Sequence, residues 1–160
     1  MKFLAIFALC IIGTFANPCD DFALMQEAWN TMKHEETAIL YTVFKAYPNI
    51  QAKFPQFAGK DLEEVKDTAA FAVHATRIIS FMSEIISLLG KHDNLPAIKS
   101  SLTKLGQDHK GRGITVKQFD EFHKAFHSFL HTHDAWNEQV DATWHCNENE
   151  IRKIVNAALE

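Results

Sequence analysis

The chain has 160 residues, 47% of them hydrophobic, and a formal charge of −4 at pH 7. That length and apolar content suit one domain able to bury a real core. A mildly acidic sequence without a basic run argues against nucleic acid or an anionic membrane as partner.

At the front, Lys2 precedes a short apolar run that ends in Thr14-Phe15-Ala16, with small residues at the two positions a signal peptidase reads. The run is too short to cross a bilayer, and we expect no second long apolar run after it. The expectation is a secretory signal peptide over residues 1–16 and one mature domain over residues 17–160. A buried amino-terminal helix is the alternative. Removing Lys2 and Cys10 with the leader would shift the formal charge from −4 to −5 and leave two cysteines, Cys19 and Cys146.

Asp20-Asp21 offers an N-cap for a helix whose face carries Phe22, Met25, Ala28, Trp29 and Met32. A second helix carries Ile39, Leu40, Val43 and Phe44 and halts at Pro48. The aromatic stretch from Asn49 to Gly59, broken by Pro55, reads as a brief helix and an irregular corner. Asp61-Leu-Glu-Glu64 has capping-box spacing and is expected to open a long helix. That helix carries Phe71, His74, Ile78, Phe81, Met82 and Ile85 on one side, and Gly90 ends it. Pro96 suits a first turn, and Ile98, Leu102, Leu105 and His109 then share a stripe up to Gly111-Arg112-Gly113. Thr115-Val-Lys-Gln118 is a capping box before Phe119, Phe122, Phe126, Phe129 and Leu130. After the turn at Asp134–Asn137, the last helix carries Val140, Trp144, Ile151, Ile154, Val155 and Leu159. No stretch alternates as a strand would, so the expected class is all-α, with seven to eight helices.

His74 and His109 each lie on the apolar stripe of a separate helix. An imidazole there needs a partner, because leaving it buried and unpaired costs roughly 1–3 kcal/mol. The plain alternative for either is a core histidine held by a backbone carbonyl. Two of them, on helices joined by one turn-back, can face each other across a gap lined by Leu40, Phe44, Phe54, Phe57, Ile78, Leu105, Ile114, Phe119 and Phe122. A flat aromatic slot with an imidazole on each wall suits a planar iron macrocycle.

These residues resemble the globin family across essentially all of residues 20–160. The matching features are the Trp29 region, Leu40 through Phe44, Pro48, Phe54, Phe57, His74 with Ile78, and Leu105 with His109. The segments Ile39–Pro48 and Ala52–Glu63 are more specific and look like the secreted larval haemoglobins of midges. The resemblance implies a globin fold around haem b, with His109 as the proximal iron ligand and His74 on the gas side. Phe54 would pack on the porphyrin, and Arg77 would reach a haem propionate or swing toward the gas; its alternative is a solvated surface arginine.

By the same resemblance, the protein would be an extracellular oxygen carrier in a haemolymph-like fluid, a monomer or homodimer, and not an enzyme. The start of the chain would also pass against the early part of the last helix. A Cys19–Cys146 disulfide is then expected in the oxidising compartment that a leader implies.

Two other readings compete. One keeps the haem but makes the protein peroxidase-like or a nitric-oxide dioxygenase. The other is a separate metal site at His123, His127 and His131, spaced i, i+4, i+8. Their place on the polar flank of the Phe122/Phe126/Phe129 stripe favours solvated histidines instead.

Overall fold

Capping side chains mark where half of the described α-helices begin. The computed structural model describes residues 17–160, in which eight α-helices and two 3-10 turns occur and no strand is found. The expected leader, residues 1–16, lies outside the described residues. The helices are α1 (Phe22–Met32), α2 (Glu36–Ala46), α3 (Pro48–Gln51), α4 (Leu62–Val65), α5 (Ala69–Leu88), α6 (Leu95–Lys110), α7 (Val116–Leu130) and α8 (Glu138–Leu159). Thr115 and Gln118 make the full reciprocal capping box at α7, and Asn137 caps α8 through the amides of Gln139 and Val140.

Two expected caps act differently. Asp61 does cap a helix, but the helix is the four-residue α4; the long α5 starts afresh at Thr68, whose hydroxyl accepts from the Phe71 amide. Asp21 stands at the N-cap of α1 without capping it, because its carboxylate accepts from Gln139 Nε2 on α8 at 2.6 Å. A third expectation also changes. By length and composition α5 is apolar enough to cross a membrane, at a mean hydropathy of 1.3, so a second long apolar run does follow the leader. It carries His74, Arg77 and Glu84, however, and buries Phe71, Ala75, Ile79, Ile85 and Ile86 within the protein.

The core divides in two. One apolar cluster gathers Trp29, Ile86, Leu102, Phe126, Trp144 and their neighbours from α1, the far half of α5, α6, α7 and α8. The second gathers Leu40, Val43, Phe44, Phe57, Val65 and Phe71 from α2, the corner after α3, α4 and the near half of α5. Phe122 packs against both. Helix α6 lies closely along α8 because Gly106 has no side chain: a Cβ there would sit 2.6 Å from Ala158 Cβ and 2.7 Å from the Val155 carbonyl oxygen. At the turn after α5, Gly90 takes φ +84° with Phe22 stacked against it, a position only glycine fills without strain.

The start of the described chain is pinned to α8. Cys19 and Cys146 form the expected disulfide. Thr143 Oγ1 donates to the Pro18 carbonyl at 2.6 Å, and Asn147 Nδ2 donates to the Cys19 carbonyl at 3.1 Å.

Candidate functional site

Half-buried on α5, His74 meets the ring of Phe54 edge-on at 4.5 Å between centroids. Phe54 comes from the corner after α3. That corner is held by a buried residue not singled out from the sequence: Gln51, whose amide donates to the carbonyls of Phe57 and Lys60. Phe54 in turn packs against Phe44 at 5.1 Å and Phe57 at 5.9 Å. Leu40, Phe44 and Phe57 are buried there, while Phe54 and Ile78 are half-buried at the cluster's edge.

On α6, the half-buried His109 ring lies 5.9 Å from the buried Phe119. Its Nδ1 is 2.8 Å from the Leu105 carbonyl one turn earlier. That contact requires the proton on Nδ1, so Nε2 keeps a free lone pair. The glycine-flanked turn that follows is closed by the Arg112 and Ile114 amides, both donating to the His109 carbonyl at 3.0 Å. Lys53 Nζ then donates to the Gly113 carbonyl at 2.8 Å, tying the Phe54 corner to the turn behind His109.

Burial lowers the affinity of both imidazoles for a proton. Burial, followed by the positive charges of Arg77, His109 and Arg112, pushes His74 from 6.5 down to about 4. Burial also lowers His109; the Leu105 carbonyl opposes that shift and Arg112 adds to it. Arg77 is exposed, one turn from His74. Arg112 acts on both histidines and was not foreseen; its only signal in the sequence is a lone charge in the turn directly after His109. Asp108, adjacent to His109 in sequence, turns outward to Lys104 at 3.0 Å.

The expected lining draws on both core clusters, at the seam where Phe122 joins them. Leu40, Phe44, Phe54, Phe57 and Ile78 belong to the second cluster, and Leu105 and Phe119 to the first. Phe122 bridges them, and Ile114 is half-buried in the turn after α6. Phe54, Ile78, Leu105, Ile114 and Phe122 are apolar yet only half-buried in the protein itself. A flat iron porphyrin would meet apolar side chains from both clusters there and, at His109, an Nε2 lone pair free to ligate a metal.

The three histidines of α7 do not behave as a set, nor are they all solvated. His123 is 7% exposed, and its Nδ1 lies 3.1 Å from Glu148 Oε1 on α8 without the alignment of a hydrogen bond. Burial raises the Glu148 carboxyl, but His123, with His127 and Arg152, together outweigh that and hold it below the usual range. His127 and His131 turn instead to Asp141 on α8, at 2.9 and 3.1 Å.

Comparison with known proteins shows the family. The globin family model matches residues 37–153. Globin CTT-Y of Chironomus thummi piger is 78% identical over 160 residues, covering all of both chains. Globin CTT-VIIB-3 of Chironomus thummi thummi is 53% identical over 146 residues, covering 90% of this chain and 91% of its own. Among solved structures, haemoglobin component TA-VII of Tokunagayusurika akamusi superposes with a TM-score of 0.82 at 45% identity, over 87% of this chain and 93% of that one. A match of that length, with relatives this similar from end to end, leaves one conclusion: the chain belongs to the globin family.

Proposed function

We propose that this chain is an extracellular haemoglobin that binds O2 reversibly, for transport or storage, at a five-coordinate haem b. When bound, the haem supplies an iron with one open coordination position, where small gases bind and leave. His109 would hold that iron through Nε2, its ring fixed by the Leu105 carbonyl at 2.8 Å. His74, kept neutral by burial, offers an N–H to the partial negative charge that oxygen gathers in the site. Leu40, Phe54 and Ile78 keep water away. Arg77 would reach a haem propionate, and Arg112 is a second cation that acts on His74.

The observation that carries this reading is the pair of neutral imidazoles at one apolar seam, one of them with its Nδ1 committed to a carbonyl. The reading includes a secretory leader over residues 1–16, a globin domain over residues 17–160 and a monomer or homodimer without nucleic-acid or membrane partners. It does not include enzymatic turnover. A proximal imidazole oriented by a neutral carbonyl, with Asp108 paired elsewhere, lacks the carboxylate partner that would make His109 strongly electron-donating.

The test is a visible spectrum of purified protein with and without oxygen. Reversible conversion between a five-coordinate deoxy form and an oxygenated form supports the proposal. A six-coordinate low-spin ferrous spectrum would assign His74 as a direct ligand, and sustained peroxide turnover would favour the peroxidase-like alternative.

A further inference from the structure

We propose that His127, His131 and Asp141 form a zinc site, separate from the seam between His74 and His109. Helix α7 supplies His127, the residue that ends it supplies His131, and Asp141 comes from the first turns of α8.

The argument begins with three atoms. His127 Nε2 is 2.9 Å from Asp141 Oδ1, His131 Nε2 is 3.1 Å from the same oxygen, and the two Nε2 atoms are 3.3 Å apart. Tetrahedral zinc with ligands at 2.0–2.1 Å separates its ligand atoms by about 3.3 Å. The existing triangle is therefore already close to one face of such a tetrahedron and needs to open by only a few tenths of an ångström.

The donor set is also the right kind. Two borderline imidazole nitrogens and one harder carboxylate oxygen are all ligands zinc accepts, and three protein ligands leave a fourth position for water. His145 on α8 is a further imidazole nearby, its ring 6.2 Å from that of His127.

A support behind the ligands is in place as well. The buried Trp136 donates its indole N–H to Asp141 Oδ1 at 3.0 Å, which fixes the carboxylate. Without a cation, two nitrogens that can both be donors face each other at 3.3 Å beside a single oxygen, and one cation satisfies all three atoms at once.

The test is isothermal titration of the holoprotein with Zn2+ at neutral pH, with the haem spectrum as the check on folding. We expect one zinc per chain. Trp136→Phe should weaken binding by about 10- to 100-fold, the usual effect of losing a group that orients a metal ligand. His131→Ala removes a ligand from an exposed side chain and should weaken it further. His92→Ala, at a surface histidine outside the cluster, should change nothing. Zinc-edge X-ray absorption, which is blind to the haem iron, should show imidazole nitrogens at about 2.0–2.1 Å. A wild type that takes up no zinc overturns the proposal. So does a His131→Ala variant that binds zinc as tightly as the wild type.

Discussion

Gly106→Ala sets two effects of similar size against each other. A central glycine costs an α-helix about 0.8–1.0 kcal/mol relative to alanine, so propensity alone predicts a gain. Packing predicts the reverse. The new methyl would lie 2.6 Å from Ala158 Cβ and 2.7 Å from the Val155 carbonyl oxygen. Neither obstacle can swing aside, since one is a Cβ and the other is backbone. Restoring ordinary carbon contacts near 3.5–4.0 Å requires α6 to move off α8 by about 1 Å. Overpacking of this kind costs typically about 1–3 kcal/mol, and rigid neighbours favour the upper half of that range. Subtracting the propensity gain leaves a net loss of about 1–2 kcal/mol. For a domain of about 140 residues that lowers Tm by roughly 3–6 °C. Because His109 lies one turn further along α6, the same displacement should weaken haem retention.

The assay is thermal melting by far-UV circular dichroism, with haem transfer to an apo-acceptor as the functional readout. Adding Ala158→Gly should recover part of the loss by removing the Cβ–Cβ contact, but not the contact with the Val155 carbonyl. A single variant that melts higher than the wild type would show that α6 and α8 are not held at this separation, and the reasoning would fail.

His109→Ala should release haem or hold it only loosely, and an unchanged deoxy-ferrous spectrum would contradict the ligand assignment. His74→Leu removes one hydrogen bond to the gas, worth roughly 1.5–3 kcal/mol, so the oxygen off-rate should rise by about 10- to 150-fold in stopped flow. The same variant tests pH dependence. His74 ordinarily binds a proton near 6.5 but only near about 4 when folded, so the unfolded chain takes up the proton first and stability declines as pH falls through that window. His74→Leu should resist acid better over that range, and superimposable acid-unfolding curves would count against the burial argument. Breaking the disulfide with Cys19→Ser and Cys146→Ser should cost about 2–5 kcal/mol, since the bridge closes a loop of 127 positions. Chemical denaturation measures this, and alkylation of the unreduced wild type should label no cysteine.

Much of this was written locally in the chain. The Thr115–Gln118 box, the stripes on α5 and α6, and the pairing of Leu105 with His109 depend on residues within a turn or two, where spacing fixes direction. Asp61 misled because a cap signal marks where a helix starts and says nothing of how far it runs; Thr68 carries the same chemistry seven residues later. The split of the α7 histidines lay out of reach for another reason. A helical wheel places His123 on a flank, but whether that flank meets water depends on Glu148 and on how α8 crosses. Arg112 and Lys53 matter only because the turn after α6 folds back beside the corner after α3, a proximity no local pattern encodes.

The bridge between Cys19 and Cys146 bears on the order in which the molecule can be finished. Its first sulfur emerges at the start of synthesis and its second only when α8 is being made, so nearly the whole chain must be translated before the pair can meet. Until then Cys19 stays a free thiol, open to exchange with any other thiol or disulfide it encounters. The contacts that bring the two together, from Thr143 to Pro18 and from Asn147 to Cys19, also need α8 in place. Oxidation therefore acts as a late lock on an assembled domain rather than as a guide to its assembly. A chain that stops short of α8 is left with Cys19 and no partner for it.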